Sequence, residues 1–270
     1  MTPWVESFGV ACLAGVGVFL GAWFSRRPGR WWLVGYFVPL MMAVLYAAGA
    51  RYAAFAFTPP ISWMMAGRTK FAIIGFISTM VLTTPLSRLP RKRDRAVVAL
   101  LMVTVVSLVS VWPFLAPAFY LQQLSHLRTR VDQDGVCRQS TEYTCGPAAA
   151  VTVLRKIGFK AEEGELAILA HTTPAIGTQP DILAAALQKR YGAEGLTCKY
   201  RLFDSLSELK SCGPTLVVIN FNLMLDHYVT VRAIRDEKVI IADPLNGLTE
   251  MSPQEFAKIW YFCGITLSRQ

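Results

Sequence analysis

Apolar positions are not spread evenly along this chain. Ser7 to Phe24, Trp31 to Ala50 and Phe71 to Ser87 are uncharged apolar runs, each near the roughly 20 residues that a helix needs to cross a bilayer. Ala96 to Ser125 is a fourth and longer run, and it holds Pro113 and Pro117. A helix there is expected to end or kink near the prolines, with its remainder at the interface. Between the second and third runs, Tyr52 to Gly67 is also uncharged but short and broken by Pro59 and Pro60, which suits a re-entrant or interfacial segment better than a fifth span. The first run lacks a basic flank and a convincing cleavage site, so it reads as a retained span.

From about His126 the pattern changes. Short strand-like runs, "TLVVIN", "HYVTVRAI" and "KVIIAD", alternate with helical periodicity, as in an α+β domain. The expected organisation is therefore a membrane α-helical region over 1–125 with about four transmembrane helices, and a second domain over 126–270, long enough to bury its own core.

Charge sharpens this division. The chain carries 27 Lys and Arg against 18 Asp and Glu, a net charge of +9. Residues 1–120 hold 11 of the basic residues and only Glu6 and Asp94 as acids, so the excess belongs to the first region. The second region is neutral and does not interleave basic with aromatic residues, which argues against nucleic acid as a partner and for a lipid bilayer. Arg26, Arg27 and Arg30 follow the first run, and Arg88, Arg91, Lys92, Arg93 and Arg95 follow the third. By the positive-inside rule both loops are cytoplasmic. Four spans then place the second domain outside the cytosol, anchored to what is expected to be a bacterial cytoplasmic membrane.

Candidate chemistry begins at "QSTEYTCGPAAAVTVLRKIGF", Gln139 to Phe159. Ala150, Val153, Leu154 and Ile157 follow one helix face, Pro147 suits a first turn, and Gly158 supplies a stop. Cys145 is thereby set at a helix N-terminus, where unpaired N–H groups and the macrodipole favour a thiolate. A thiolate nucleophile needs a base. Of the three histidines, His126 lies beside the last apolar run and His171 ends a short helical segment as a capping or surface residue, which leaves His227. His227 opens one strand and Asp243 ends the next, a hairpin that can bring base and orienter together. Gln139 would then hold the negative oxygen of a tetrahedral intermediate together with the backbone N–H of Cys145.

Together, the Gln139 to Cys145 spacing, "CGPAA" opening a helix, "HYVTV" and "IADPLNG", with "GTQPDILAAAL" between them, resemble the double-glycine peptidase family, the papain-like domains that mature bacteriocin precursors. The resemblance covers roughly residues 137–270. It implies a papain-like α+β fold, a peptide or protein substrate and a separate exporter as partner, because this chain has no G-x-x-x-x-G-K-[ST] phosphate loop of its own. The best-known members carry the peptidase ahead of the membrane domain, the reverse of the order here. No metal or cofactor is expected. Two other readings use the same residues: a catalytically silent peptide-binding, exporter-accessory or immunity module, and acyl transfer such as transpeptidation. Cys137, Cys198, Cys212 and Cys263 permit two disulfides, and at least one is expected if the domain lies outside the cytosol.

Overall fold

The computed structural model describes residues 3–51, 69–86, 88–222, 225–235 and 237–269. The expected re-entrant segment, 52–67, and Ser87 at the end of the third apolar run lie outside the described residues. The chain divides into two compact units, Met1–Ala118 and Phe119–Gln270.

In the first unit the apolar runs form α1 (Pro3–Ser25), α2 (Val34–Arg51) and α3 (Thr69–Thr83). Stretches of 18 residues in α1 and α2, Phe8–Ser25 and Trp31–Ala48, are long and apolar enough to cross a membrane, whereas the apolar part of α3 is shorter, Ala72–Thr83. Small residues let α1 and α3 approach closely: a Cβ on Gly17 would lie 2.1 Å from Thr79 Oγ1, and one on Gly21 would lie 2.8 Å from the Met80 carbonyl. Buried hydroxyls are satisfied locally, Thr79 and Thr84 donating to the carbonyls of Gly75 (2.9 Å) and Met80 (2.7 Å) one turn back. Large side chains such as Phe8, Phe19, Phe37, Leu40 and Leu100 point outward.

At the fourth apolar run the helix does not end near the prolines, an end there being one of the two outcomes expected. It continues as α4 (Lys92–Val105), a π turn over Val106–Val111, and α5 (Trp112–Ser125). Pro113 closely follows the π turn and Pro117 lies inside α5, so the helix passes both prolines, and a widened π turn is one of the places where helices bend.

The second unit is built on one six-stranded antiparallel sheet in the order β3-β8-β4-β5-β6-β7. Its strands are β3 (Leu196–Leu202), β4 (Thr215–Asn222), β5 (Leu225–Arg235), β6 (Lys238–Asp243), β7 (Gly247–Met251) and β8 (Trp260–Arg269), and a separate pair, β1 (Arg130–Val131) and β2 (Cys137–Arg138), precedes them. The run "TLVVIN" is continuously apolar because β4 is central and covered on both faces. Leu216 and Val218 join the cluster formed with α6 (Cys145–Lys156), α7 (Glu163–Leu169) and α8 (Pro180–Tyr191). Val217 and Ile219 join the other, around Trp260 and Phe256, with α9 (Leu206–Ser211) and α10 (Pro253–Ile259).

Helix α6 ends as its sequence predicts. Gly158 has φ +89°, its N–H donates to Arg155 O (3.1 Å), and the Phe159 N–H reaches back to Leu154 O (2.9 Å), a Schellman closure that needs glycine at the left-handed position. The expected disulfide is absent: Cys137, Cys198, Cys212 and Cys263 are all free. Cys137, Cys198 and Cys263 are buried among core side chains, where a thiol packs as a small hydrophobe.

Candidate active site

Three elements meet at the site: the start of α6, the start of β5, and the β6–β7 turn. Cys145 is the first residue of α6 and is 8% exposed. The Ala148 N–H is the first to bond back into the turn, to Thr144 O at 3.0 Å, and the N–H groups of Cys145 and Gly146 precede it at the positive end of the helix dipole. Strand β5 carries this helix start on its side chains. The Thr230 hydroxyl donates to Ala149 O (3.1 Å), and the Tyr228 hydroxyl to Thr178 O (3.1 Å). The segment ending at Thr178 packs so closely on Gly146 that a Cβ there would lie 2.9 Å from Thr178 Cβ. Glycine after the cysteine is thus a packing requirement.

His227 is buried and its Nε2 faces Asp243 Oδ1 at 2.7 Å. That leaves Nδ1 for the Cys145 thiol, which lies within hydrogen-bonding reach of the ring. Burial opposes the charged ring, but hydrogen bonds from the imidazole to Asp243 and Cys145, with the charges of both, outweigh it and push the His227 pKa up to about 9. Asp243 moves the other way. Burial would raise it, yet it stays below the usual carboxylate range because His227, the Leu245 N–H (2.8 Å to Oδ1) and the Asn246 amide (2.7 Å to Oδ2) all donate to it.

Gln139 is joined to this cluster through the backbone: its N–H donates to the carbonyl of Pro244, next to Asp243, at 3.1 Å. The side-chain Nε2 donates to Thr141 O (2.8 Å), and an amide nitrogen has a second hydrogen to give. Cys145, His227 and Asp243 are therefore brought together directly, and Gln139 flanks them. His171 lies elsewhere, just beyond the C-terminus of α7, in a left-handed conformation at φ 53°, in keeping with its reading as a helix-end residue.

Two residues of the site escaped the sequence reading. Asn246 locks Asp243 Oδ2, and its only signal was its place in a "DPLN" turn, where side-chain amides often bond back. Glu163 is fully buried and accepts from the Ser140 N–H (2.8 Å) and hydroxyl (2.6 Å), beside Gln139. In "KAEEGEL" nothing marks it apart from its acidic neighbours. No group of three or more His, Cys, Asp or Glu able to hold a metal occurs among the described residues.

The profile of the peptidase C39 family matches residues 134–270, which contain every element of the site. The chain belongs to the peptidase C39 family. Among its relatives is an uncharacterised protein of Methanothermobacter marburgensis, 31% identical over 134 residues that make up 50% of this chain and 88% of the relative. Another is the probable functional amyloid protease FapD of Pseudomonas aeruginosa, 29% identical over 145 residues, 52% of this chain but only 62% of FapD. The peptidase domain of Streptococcus ComA, a bifunctional ABC transporter, is a similar solved structure: 25% identical, TM-score 0.44, covering 49% of this chain and 96% of that domain. Family membership supports cysteine peptidase activity and accords with the α+β, papain-like organisation of the second unit.

Proposed function

We propose that the second unit hydrolyses peptide bonds, with Cys145 as nucleophile, His227 as general base and acid, Asp243 as its orienter and Gln139 as an oxyanion donor. The observation that carries this reading is the His227 imidazole held at Nε2 by Asp243 at 2.7 Å with its other nitrogen left to the Cys145 thiol. In the proposed sequence the Cys145 thiolate attacks the scissile carbonyl. The new oxyanion is met by the Cys145 N–H and the Gln139 amide, and the His227 imidazolium donates its proton to the leaving amine. Water, deprotonated by the now neutral ring, then cleaves the thioester. As substrate we infer a peptide or small secreted protein; a relative named as a probable functional amyloid protease supports a peptide or protein substrate.

The test is competitive alkylation of the folded chain with trace iodoacetamide, followed by peptide mapping. Burial pushes Cys137, Cys198 and Cys263 up to about 12, so their thiols stay protonated and slow near neutral pH. Cys145 should be labelled first and fastest. Labelling of Cys12 or Cys212 ahead of it would overturn the assignment.

For the first unit we propose insertion in a membrane, with the peptidase unit on the extracytoplasmic side. The support is two helices of spanning length, large apolar side chains turned outward, and the basic loops after the first and third apolar runs; the free Cys137, Cys198, Cys212 and Cys263, expected to form a bridge on that side, weigh against the extracytoplasmic placement. Alkaline phosphatase fused to the C-terminus should be active. Fluorescence from a cytosol-only reporter at the same position would reverse the orientation.

A further inference from the structure

The stretch that carries Gln139 is pinned from two sides. On one, the Gln139 N–H meets Pro244 O. On the other stands Glu163, a fully buried carboxylate whose Oε1 accepts the Ser140 N–H at 2.8 Å and whose Oε2 accepts the Ser140 hydroxyl at 2.6 Å. No ion pair to Glu163 occurs among the described residues. A buried carboxylate without a cation is costly unless hydrogen bonds compensate it, and Ser140 supplies two to this one. Both bonds go to one residue, Ser140, the immediate neighbour of the proposed oxyanion donor.

Glu163 is itself held by the strap that leaves α5. The Thr129 hydroxyl accepts the Glu163 N–H at 2.8 Å, and the Arg128 carbonyl lies 3.1 Å from the Ser140 hydroxyl. Next to it, a Cβ on Gly164 would sit 2.5 Å from Leu124 O and 3.5 Å from Leu127 Cβ, so the strap lies flush on the start of α7 with no room for a side chain between them. Downstream, Thr141 and Thr144 bond mainly to each other, the Thr141 N–H donating to Thr144 Oγ1 at 3.1 Å. The Gln139 stretch is thus tied to Pro244 behind it and to Glu163 in front, and it follows Arg138, which pairs with Arg130 of β1 and whose guanidinium donates to Leu245 O.

We propose that Glu163 is a positioning residue for the oxyanion-binding stretch, clamping Ser140 and so aiming the Gln139 amide, with Thr129 of the strap holding the clamp in place. The inference rests on the proposed function above. Its chemical consequence is selective. Alkylation of Cys145 displaces iodide at a saturated carbon and forms no oxyanion, so it needs only the thiolate that His227 sustains. Acylation by an ester passes through a tetrahedral oxyanion and needs the Gln139 amide within a fraction of an ångström of its working place.

The experiment compares the full-length wild type with Glu163→Gln and Thr129→Val in two assays. One is the rate of Cys145 alkylation by iodoacetamide. The other is the burst of p-nitrophenolate released when Cys145 Sγ attacks p-nitrophenyl acetate and forms the acetyl thioester. Both variants should lose roughly 10-fold to 10²-fold in acylation, a displacement of about 1 Å being enough for the larger figure, while alkylation stays within about twofold of wild type. Acylation unchanged in both variants, or alkylation and acylation falling together, would overturn the proposal. Should Glu163→Gln fail to fold, Thr129→Val decides, because it leaves the carboxylate and Ser140 untouched. A wild type in which Cys145 neither alkylates preferentially nor acylates would instead refute the peptidase reading.

Discussion

Replacing Cys145 with alanine is expected to abolish turnover of any peptide that the wild-type chain cleaves, and His227→Ala to do the same, each by about 10⁴-fold to 10⁶-fold. The two losses are equal in kind because the groups act as one device. Without Sγ there is no attacking atom. Without the imidazole the thiol lacks the partner that favours the thiolate, and the leaving amine lacks its proton donor. Gln139→Ala should be milder, about 10²-fold to 10³-fold, since the backbone N–H of Cys145 still meets the oxyanion. Neither triad variant should unfold the unit. Cys145 sits at the edge of its cluster as the first residue of α6, and Asp243 without His227 keeps its bonds from Leu245 and Asn246. Steady-state cleavage alongside thermal melts checks both halves of the statement. Turnover within tenfold of wild type in a folded Cys145→Ala protein would end the peptidase assignment.

Why these residues were legible in the sequence while others were not has a physical explanation. Cys145 and Pro147 announce a helix start through local chemistry, and Gly158 announces its end through a φ that only glycine adopts readily. His227 and Asp243 sit on strands joined by a short connection, so antiparallel pairing of β5 with β6 was enough to bring them together. Gln139 could be placed near Cys145 by its spacing. Its amide folds back locally on Thr141, but that its backbone N–H reaches Pro244 depends on the turn after β6, more than a hundred residues along the chain. Glu163 was hidden for a related reason. Its burial is imposed by Ser140 and by the strap after α5, both far from it in sequence, while its own neighbours read as an ordinary solvated acidic helix start. The π turn before Pro113 was likewise invisible, because apolar composition does not distinguish an α from a π turn.

Asp243→Ala should lower turnover by about 10⁴-fold and move what activity remains to lower pH, and Asp243→Asn should cost less while shifting the profile the same way. In the wild type, His227 stays protonated up to about 9, so the imidazolium that stabilises the thiolate and supplies the leaving-group proton is present below that pH. Activity should therefore fall as pH rises through about 9. Burial alone would lower the His227 pKa; the bond to Asp243 and that carboxylate's charge are among the causes that raise it. Removing the charge leaves burial less opposed, so the ring loses its proton at lower pH and the alkaline limb follows it down. Asparagine can still accept the Nε2–H through its amide oxygen and hold the ring's orientation, which is why it should retain more activity than alanine. Linkage gives a second readout with the same sign. A histidine raised above its ordinary value of about 6.5 stabilises the fold fully below that value, and the contribution is lost as pH climbs through about 9. The lowered Asp243 contributes above its ordinary value of about 3.9 and loses that contribution as pH falls through its depressed pKa. The wild-type melting temperature should thus decline toward both ends of the range, and Asp243→Asn should flatten both declines. An alkaline limb that stays near 9 in Asp243→Asn would mean that the carboxylate does not govern the charge of His227, and the orienting role proposed for Asp243 would fall with it.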